Sequence, residues 1–170
     1  MTTILDKQQL QLTITRLAHQ LLEDAESHEE YIIIGLQPRG VFISDRLIEA
    51  LKKLTTKKIS YGKLDITFYR DDFRKELHSA NRTEINFSIE NKKVILVDDV
   101  LYTGRTIRAA MDALLDFGRP QYIKLCVLVN RRFNRELPIQ PDYCGIAIDS
   151  IVTQKVKVNA EVDEVMLYGG

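Results

Sequence analysis

Cysteine is scarce, net charge is absent and long apolar runs are missing. The two cysteines, Cys126 and Cys144, form no CxxC pair, which removes zinc and redox motifs of that spacing. Cys126 lies inside the apolar run LCVLV and reads as a reduced core thiol. Twenty-four Lys and Arg balance twenty-four Asp and Glu, so the chain is not a globally basic nucleic-acid binder, although a local basic patch stays open. No run approaches the length of a membrane span. The opening MTTILDKQQL has neither a basic nor an apolar signal region, so a cytoplasmic location is expected. Low-complexity tracts, Pro/Gly linkers and internal repeats are also lacking, and residues 1–170 read as a single domain. At that length the chain can bury a substantial core.

What is present is a regular alternation. Leu10, Ile14, Leu17 and Leu21 recur at helical spacing within 6–26, with Asp6 as N-cap and Gln9 three residues later. YIIIGL (31–36) reads as a strand buried on both faces. QPRG follows, then an amphipathic helix from Val41 to Lys53. YGKLDITFY (61–69) reads as a strand, and polar residues 70–88 as a long mobile excursion. VILVDD (94–99) is a further buried strand. The stripe Ile107, Ala110, Met111, Leu114, Leu115 predicts a helix over 105–117, stopped by Gly118 and Pro120. YIKLCVLVN (122–130) and YCGIAI (143–148) follow as strands, and Val156, Val158, Ala160 and Val162 alternate as in a strand covered on one face. This order predicts an α/β domain with a mainly parallel sheet flanked by helices, and ligands at the carboxyl ends of its strands.

One such end carries a conflict. In VILVDDVLYTGRT (94–106), Asp98 and Asp99 close an apolar strand, and Thr103-Gly104-Arg105-Thr106 opens the next helix. A helix start offers unbonded amides and positive potential, Gly104 admits close approach, and Thr103, Thr106 and Arg105 add donors and charge. That is a phosphate cradle, or else simply a capped helix. Carboxylates beside a phosphate are costly unless something cationic or hydroxylic separates them. A divalent metal would serve. So would a ribose 5-phosphate, with hydroxyls on Asp98 and Asp99 and phosphate on the turn. Against these stands an acidic pair that only caps neighbouring amides. Receiver domains also carry paired Asp at a strand end, but there the pair lies near the N-terminus and no cradle follows. GLQPRG (35–40) is a second strand-to-helix turn, and Arg39 and Gly40 there suit another phosphate group through charge and accessible amides.

Residues 94–106 match the thirteen-residue signature of type I phosphoribosyltransferases, which use phosphoribosyl pyrophosphate (PRPP). With DITFYRDDF, LYTGRT, GRP and RELPI...DY, the chain resembles the PyrR family of pyrimidine operon attenuation proteins with uracil phosphoribosyltransferase activity. The resemblance implies a type I phosphoribosyltransferase fold with a small hood from the N-terminal segment and residues about 143–170. It implies Asp98 and Asp99 on the ribose hydroxyls, a binding loop of Val100, Leu101, Tyr102, Thr103, Gly104, Arg105 and Thr106, and Arg39, Gly40 and Arg70 on pyrophosphate. Residues 70–88 would form a flexible loop. Mg²⁺ would be carried by PRPP near Asp98 and Asp99, with no direct protein ligands. The partners implied are PRPP, a nucleobase (uracil first), pyrimidine operon leader mRNA, and further copies in a homodimer or homotetramer.

For RNA, the first thirty residues set only Lys7 and Arg16 against Asp6, Glu23, Asp24, Glu26, Glu29 and Glu30. Gln11 and Leu12 stand where the family is basic, while Thr15, Arg16 and His19 match it. Lys124, Arg131, Arg132 and Arg135 form a second basic group, read as RNA contacts, a solvated loop or, for Arg131, the edge of the active site. His28 and His78 read as solvated. Asp149-Ser150-Ile151 replaces the family's Pro-Thr-Ser, so a purine or another base stays open. An RNA regulator with little catalysis also stays open.

Overall fold

The computed structural model describes residues 1–25, 30–70 and 82–169. Five parallel strands form the central sheet: β2 (Tyr31–Leu36), β3 (Ile59–Leu64), β4 (Lys93–Leu101), β5 (Tyr122–Arg132) and β6 (Tyr143–Asp149), in the order β3-β2-β4-β5-β6. β1 (Thr2–Leu5), β7 (Lys155–Asn159) and β8 (Glu164–Tyr168) form a small antiparallel sheet in the order β1-β8-β7. The three helices are α1 (Lys7–Asp24), α2 (Arg39–Leu54) and α3 (Arg105–Leu114). The α/β domain with a parallel sheet flanked by helices expected from the sequence is therefore present, with β6 at the edge of the large sheet rather than in the small one.

The sheet has two apolar faces because successive side chains point to opposite sides. Ile33, Val97, Cys126 and Leu128 pack with Ile14, Leu17 and Leu21 of α1 and with Ile43 and Leu47 of α2. Ile32, Ile34, Leu96 and Val127 pack with Ile107, Ala110 and Leu114 of α3. All six residues of β2 are buried, as a strand covered on both faces requires. Cys126 is a buried free thiol, in agreement with its sequence reading.

Local chemistry explains where the elements stop. Asp6 accepts from the Gln9 amide at 2.8 Å and Gln9 returns a bond to the Asp6 amide at 2.9 Å, the capping box that starts α1. β3 does not reach residue 69. Asp65 Oδ1 accepts from the Thr67 amide at 3.1 Å and the Thr67 hydroxyl at 2.6 Å, and this local turn leads into a short 3-10 helix, Thr67–Tyr69. α3 ends at Leu114, because Leu115, Asp116 and Phe117 donate three residues back rather than four. α2 begins at Arg39, two residues earlier than expected. The alternation at 156–162 is split: Ala160 and Val162 lie in the turn before β8, with Asp163 at φ 58°. Residues 82–88 are no open excursion. Glu84 bridges to Lys63 antiparallel, and Ile85 and Phe87 pack against the core. The remainder of that segment (71–81, with His78) and His28 lie outside the described residues.

At the opposite edge from the candidate site, Glu30 joins the starts of three strands. Lys58, Ser60 and Lys92 hold its carboxyl down to about 2. A carboxylate held down contributes stability above its ordinary 4.5 and loses it as pH falls toward 2. Glu30→Gln therefore lowers Tm at pH 7, by about 2 °C given the exposure of Lys58. In thermal scans its difference from the parent chain should vanish near pH 2.

Candidate functional site

Parallel strands bring the turns after β2 and β4 to one sheet edge. β4 continues past Asp98 and Asp99 to Leu101, so the carboxylates stand inside the strand, 6% and 3% exposed. Each accepts from the amide of the residue that follows it: the Asp99 amide donates to Asp98 Oδ1 at 2.9 Å, and the Val100 amide to Asp99 Oδ1 at 2.8 Å. Burial, then the adjacent Asp99, pushes the Asp98 carboxyl well above its ordinary value. Arg39 offsets this in part, its Nε lying 3.7 Å from Asp99 Oδ2.

Gly40 is buried, and a Cβ there would lie 2.6 Å from the Val97 carbonyl and 3.1 Å from Asp98 Oδ1. It allows the close packing of α2 on β4. Arg39 is exposed at the mouth of the site.

The second turn runs from Tyr102 to Gly104, the N-cap of α3. Gly104 sits at φ 95°, a region where L side chains are strained. The Thr103 hydroxyl accepts from the Arg105 amide at 3.3 Å. Arg70 reaches the Thr106 hydroxyl at 3.5 Å, which brings the end of the 3-10 helix to the start of α3. The structure thus gathers Arg39, Gly40, Arg70, Asp98, Asp99 and the stretch Val100–Thr106 at one edge.

Sequence reasoning missed the brace on this turn. The Thr103 carbonyl accepts from the amides of Glu136 and Leu137, at 2.9 and 3.3 Å. Glu136 pairs with Arg105 at 2.7 Å. Arg135 donates to the Tyr102 carbonyl and, at 2.7 Å, to Asn130 Oδ1. Arg135, one of the residues read for RNA, is therefore turned onto the loop. The contiguous RELPI stretch was the available signal.

A phosphoribosyl transferase domain model matches residues 1–164. The bifunctional protein PyrR of Brevibacillus brevis is 45% identical over 95% of this chain and 92% of its own length. PyrR of Enterococcus faecalis is 43% identical over 98% and 96%. The chain belongs to the phosphoribosyltransferases, among the PyrR proteins. A hypoxanthine-guanine phosphoribosyltransferase of Bacillus anthracis superposes with a TM-score of 0.69 at 22% identity, over 87% of this chain and 82% of that one. A hypoxanthine phosphoribosyltransferase of Staphylococcus aureus gives 0.67 at 20%, over 87% and 77%. At those identities the likeness speaks for the fold alone.

In this phosphoribosyltransferase the basic residues singled out for RNA do not form one cluster. Lys124 is 3.6 Å from Asp24, at the far end of β5 from Arg132. Arg132 pairs with Asp149 at 2.7 Å. Arg16 donates to the Gly145 carbonyl and, at 3.4 Å, to that of Cys144. Thr15 bonds back to the Gln11 carbonyl at 3.0 Å, and His19 is exposed. Arg131 is buried beside Tyr102 and the 150–154 turn. No helix among the described residues is long and apolar enough to cross a membrane.

Proposed function

We propose that this phosphoribosyltransferase acts in the cytoplasm and converts uracil and PRPP to UMP and pyrophosphate. The buried Asp98–Asp99 pair, set between Arg39 and the Gly104 turn, carries the reading. In this reading Asp98 and Asp99 accept from the ribose hydroxyls. Residues 103–106 hold the 5-phosphate through the first amides of α3. Arg39 and Arg70 face the pyrophosphate end, and Gly40 lets α2 approach. The bond from C1 to the pyrophosphate oxygen breaks, its electron pair leaving with pyrophosphate, as a ring nitrogen of uracil donates its pair to C1. The nitrogen's proton passes to solvent. Positive charge builds on the sugar ring, and the two carboxylates place negative charge near it. Holding both ends of the sugar supplies the remaining acceleration by positioning.

The donor set fits Mg²⁺ that arrives with PRPP. Among the described residues no group of three or more His, Cys, Asp or Glu could cage a metal alone. Asp98 and Asp99, buried side by side, offer the carboxylate oxygens toward which hydroxyls and a cation carried by PRPP would turn. Bound with the pyrophosphate, the ion would neutralise the leaving group.

Pyrophosphate release, measured across uracil, orotate, hypoxanthine, guanine and adenine, tests the assignment. Turnover with uracil is expected. Preference for a purine would overturn the base, and no turnover with any base would overturn the transferase itself.

The name of the relatives, a bifunctional protein, favours a second role, and we infer a UMP-responsive contact with pyrimidine operon leader mRNA. Thr15, Arg16 and His19 on α1, with Arg132, are the residues that remain for it. Arg135 faces inward. A gel shift at low salt should tighten with UMP, and unchanged migration would remove the role. Assembly as a homodimer or homotetramer belongs to the same reading.

A further inference from the structure

Arg131 is the most heavily engaged buried cation near the site. It is 5% exposed, and its guanidinium lies 3.9 Å from the centre of the Tyr102 ring. Nε donates to Ser150 Oγ at 2.8 Å, and Nη2 to the carbonyls of Ile151 and Gln154 at 3.1 and 3.0 Å. These partners are neutral oxygens and a ring. The nearby carboxylate, Asp149, is taken by Arg132. A buried charge held by neutral groups is weak as a device for stability, because desolvation offsets most of what its contacts return. Its geometry is better explained by what it joins. Tyr102 leads directly into the Thr103–Gly104 turn. Residues 150–154 connect β6 of the large sheet to β7 of the small one. A groove of about 440 Å³ opens on that connection, beside the exposed side chains of Phe133, Ile151 and Val152.

We propose that Arg131 is a positioning residue: by stacking on Tyr102 and gripping the 150–154 turn, it fixes the phosphate-binding turn relative to the wall contributed by the small sheet. The planar fork suits this task. One face lies on the ring while the edge donates to three oxygens of another segment, an arrangement a lysine cannot reproduce. Arg135 and the amides of Glu136 and Leu137 hold the Thr103 turn separately. Loss of Arg131 therefore leaves the cradle formed while its distance to the opposite wall becomes variable. Misplacement by an ångström is enough to slow a transfer on the order of a hundredfold.

The inference rests on the transferase reading above, so the parent chain's turnover is measured first. Arg131→Met should then lower kcat, per folded molecule, by roughly ten- to a hundredfold, with KM for PRPP within about threefold. Arg131→Lys should stay near the Met variant. Tyr102→Leu should act in the same direction, and the double variant should cost no more than the worse single one, as expected of residues acting as a unit. Should Arg131→Met lower Tm yet keep the parent kcat, the residue is merely structural and the proposal fails. A raised KM for PRPP with kcat unchanged would make it a ligand contact and also overturn it. If the parent chain turns over no base, the transferase reading falls alone. UMP, which carries both base and phosphate, then decides by calorimetry: Arg131→Met must weaken UMP about tenfold while PRPP binding holds, and equal effects on the two would sink the proposal.

Discussion

Replacing Asp99 with Asn lowers kcat/KM for PRPP by about 10²–10³-fold and leaves the fold intact. The amide keeps the side chain's shape, and its oxygen can still accept from the Val100 amide. What disappears is the charge opposite Arg39 and beside the developing cation. Asp98→Asn should reduce turnover in the same direction, with an added signature in stability. Burial and Asp99 raise the Asp98 carboxyl, so the folded chain holds this proton to higher pH than the unfolded chain does. The stability attached to it is full below the ordinary 3.8 and is lost as pH rises from there toward the raised value. Asn never ionises, so Asp98→Asn should melt higher than the parent at pH 8, and the gain should shrink on acidification. Thermal scans at pH 8 and pH 4 with kinetics on the same samples separate the effects. A variant that melted lower at pH 8 would show that burial and the neighbouring Asp99 do not penalise the ionised Asp98. Unchanged turnover in both variants would remove the ribose assignment.

This opposition of stability and activity is the physical content of the motif that stood out in the sequence. VILVDD and TGRT were legible because each obeys a local rule, an apolar strand and a helix start. Their contradiction in charge pointed to a ligand between them. The order of the main elements was legible for the same reason: periods of two and 3.6 in apolar residues. The brace on the turn was not. Arg131 and Arg135 read as members of a basic loop because sequence shows charge but not direction. Only the return of 130–139 over the turn shows that Arg135 bonds to Tyr102 and Arg131 stacks on it. β1 and β8 were missed for a different reason. Each is short, and they pair with each other from the two ends of the chain, a contact no local window contains. Asp65 ended β3 early through its own side chain, inside a run whose composition still favoured a strand.

Gly40→Ala should damage stability and turnover together. The added Cβ would stand 2.6 Å from the Val97 carbonyl oxygen and 3.0 Å from Asp98 Cα, and neither neighbour is a flexible side chain. Either the first turn of α2 lifts from β4 or β4 bends. Overpacking of this kind costs about 1–3 kcal/mol, which for a chain of this size lowers Tm by roughly 2–12 °C. The two backbones forced apart are those that carry Arg39 and Asp98. A shift of a few tenths of an ångström there separates the arginine from the acidic pair it faces at 3.7 Å. Turnover should therefore fall about tenfold or more at temperatures where the variant is fully folded. Gly145→Ala is the matched control. Its Cβ would meet the Leu128 carbonyl at 2.4 Å and Thr13 Cγ2 at 2.9 Å, an equally tight clash between β5, β6 and α1. That variant should lose Tm to a similar degree while its kcat, per folded molecule, stays near the parent value. If both glycine variants lost turnover in proportion to Tm alone, the close approach of α2 to β4 would be a matter of packing, and the alignment of Arg39 with the carboxylates would not depend on it.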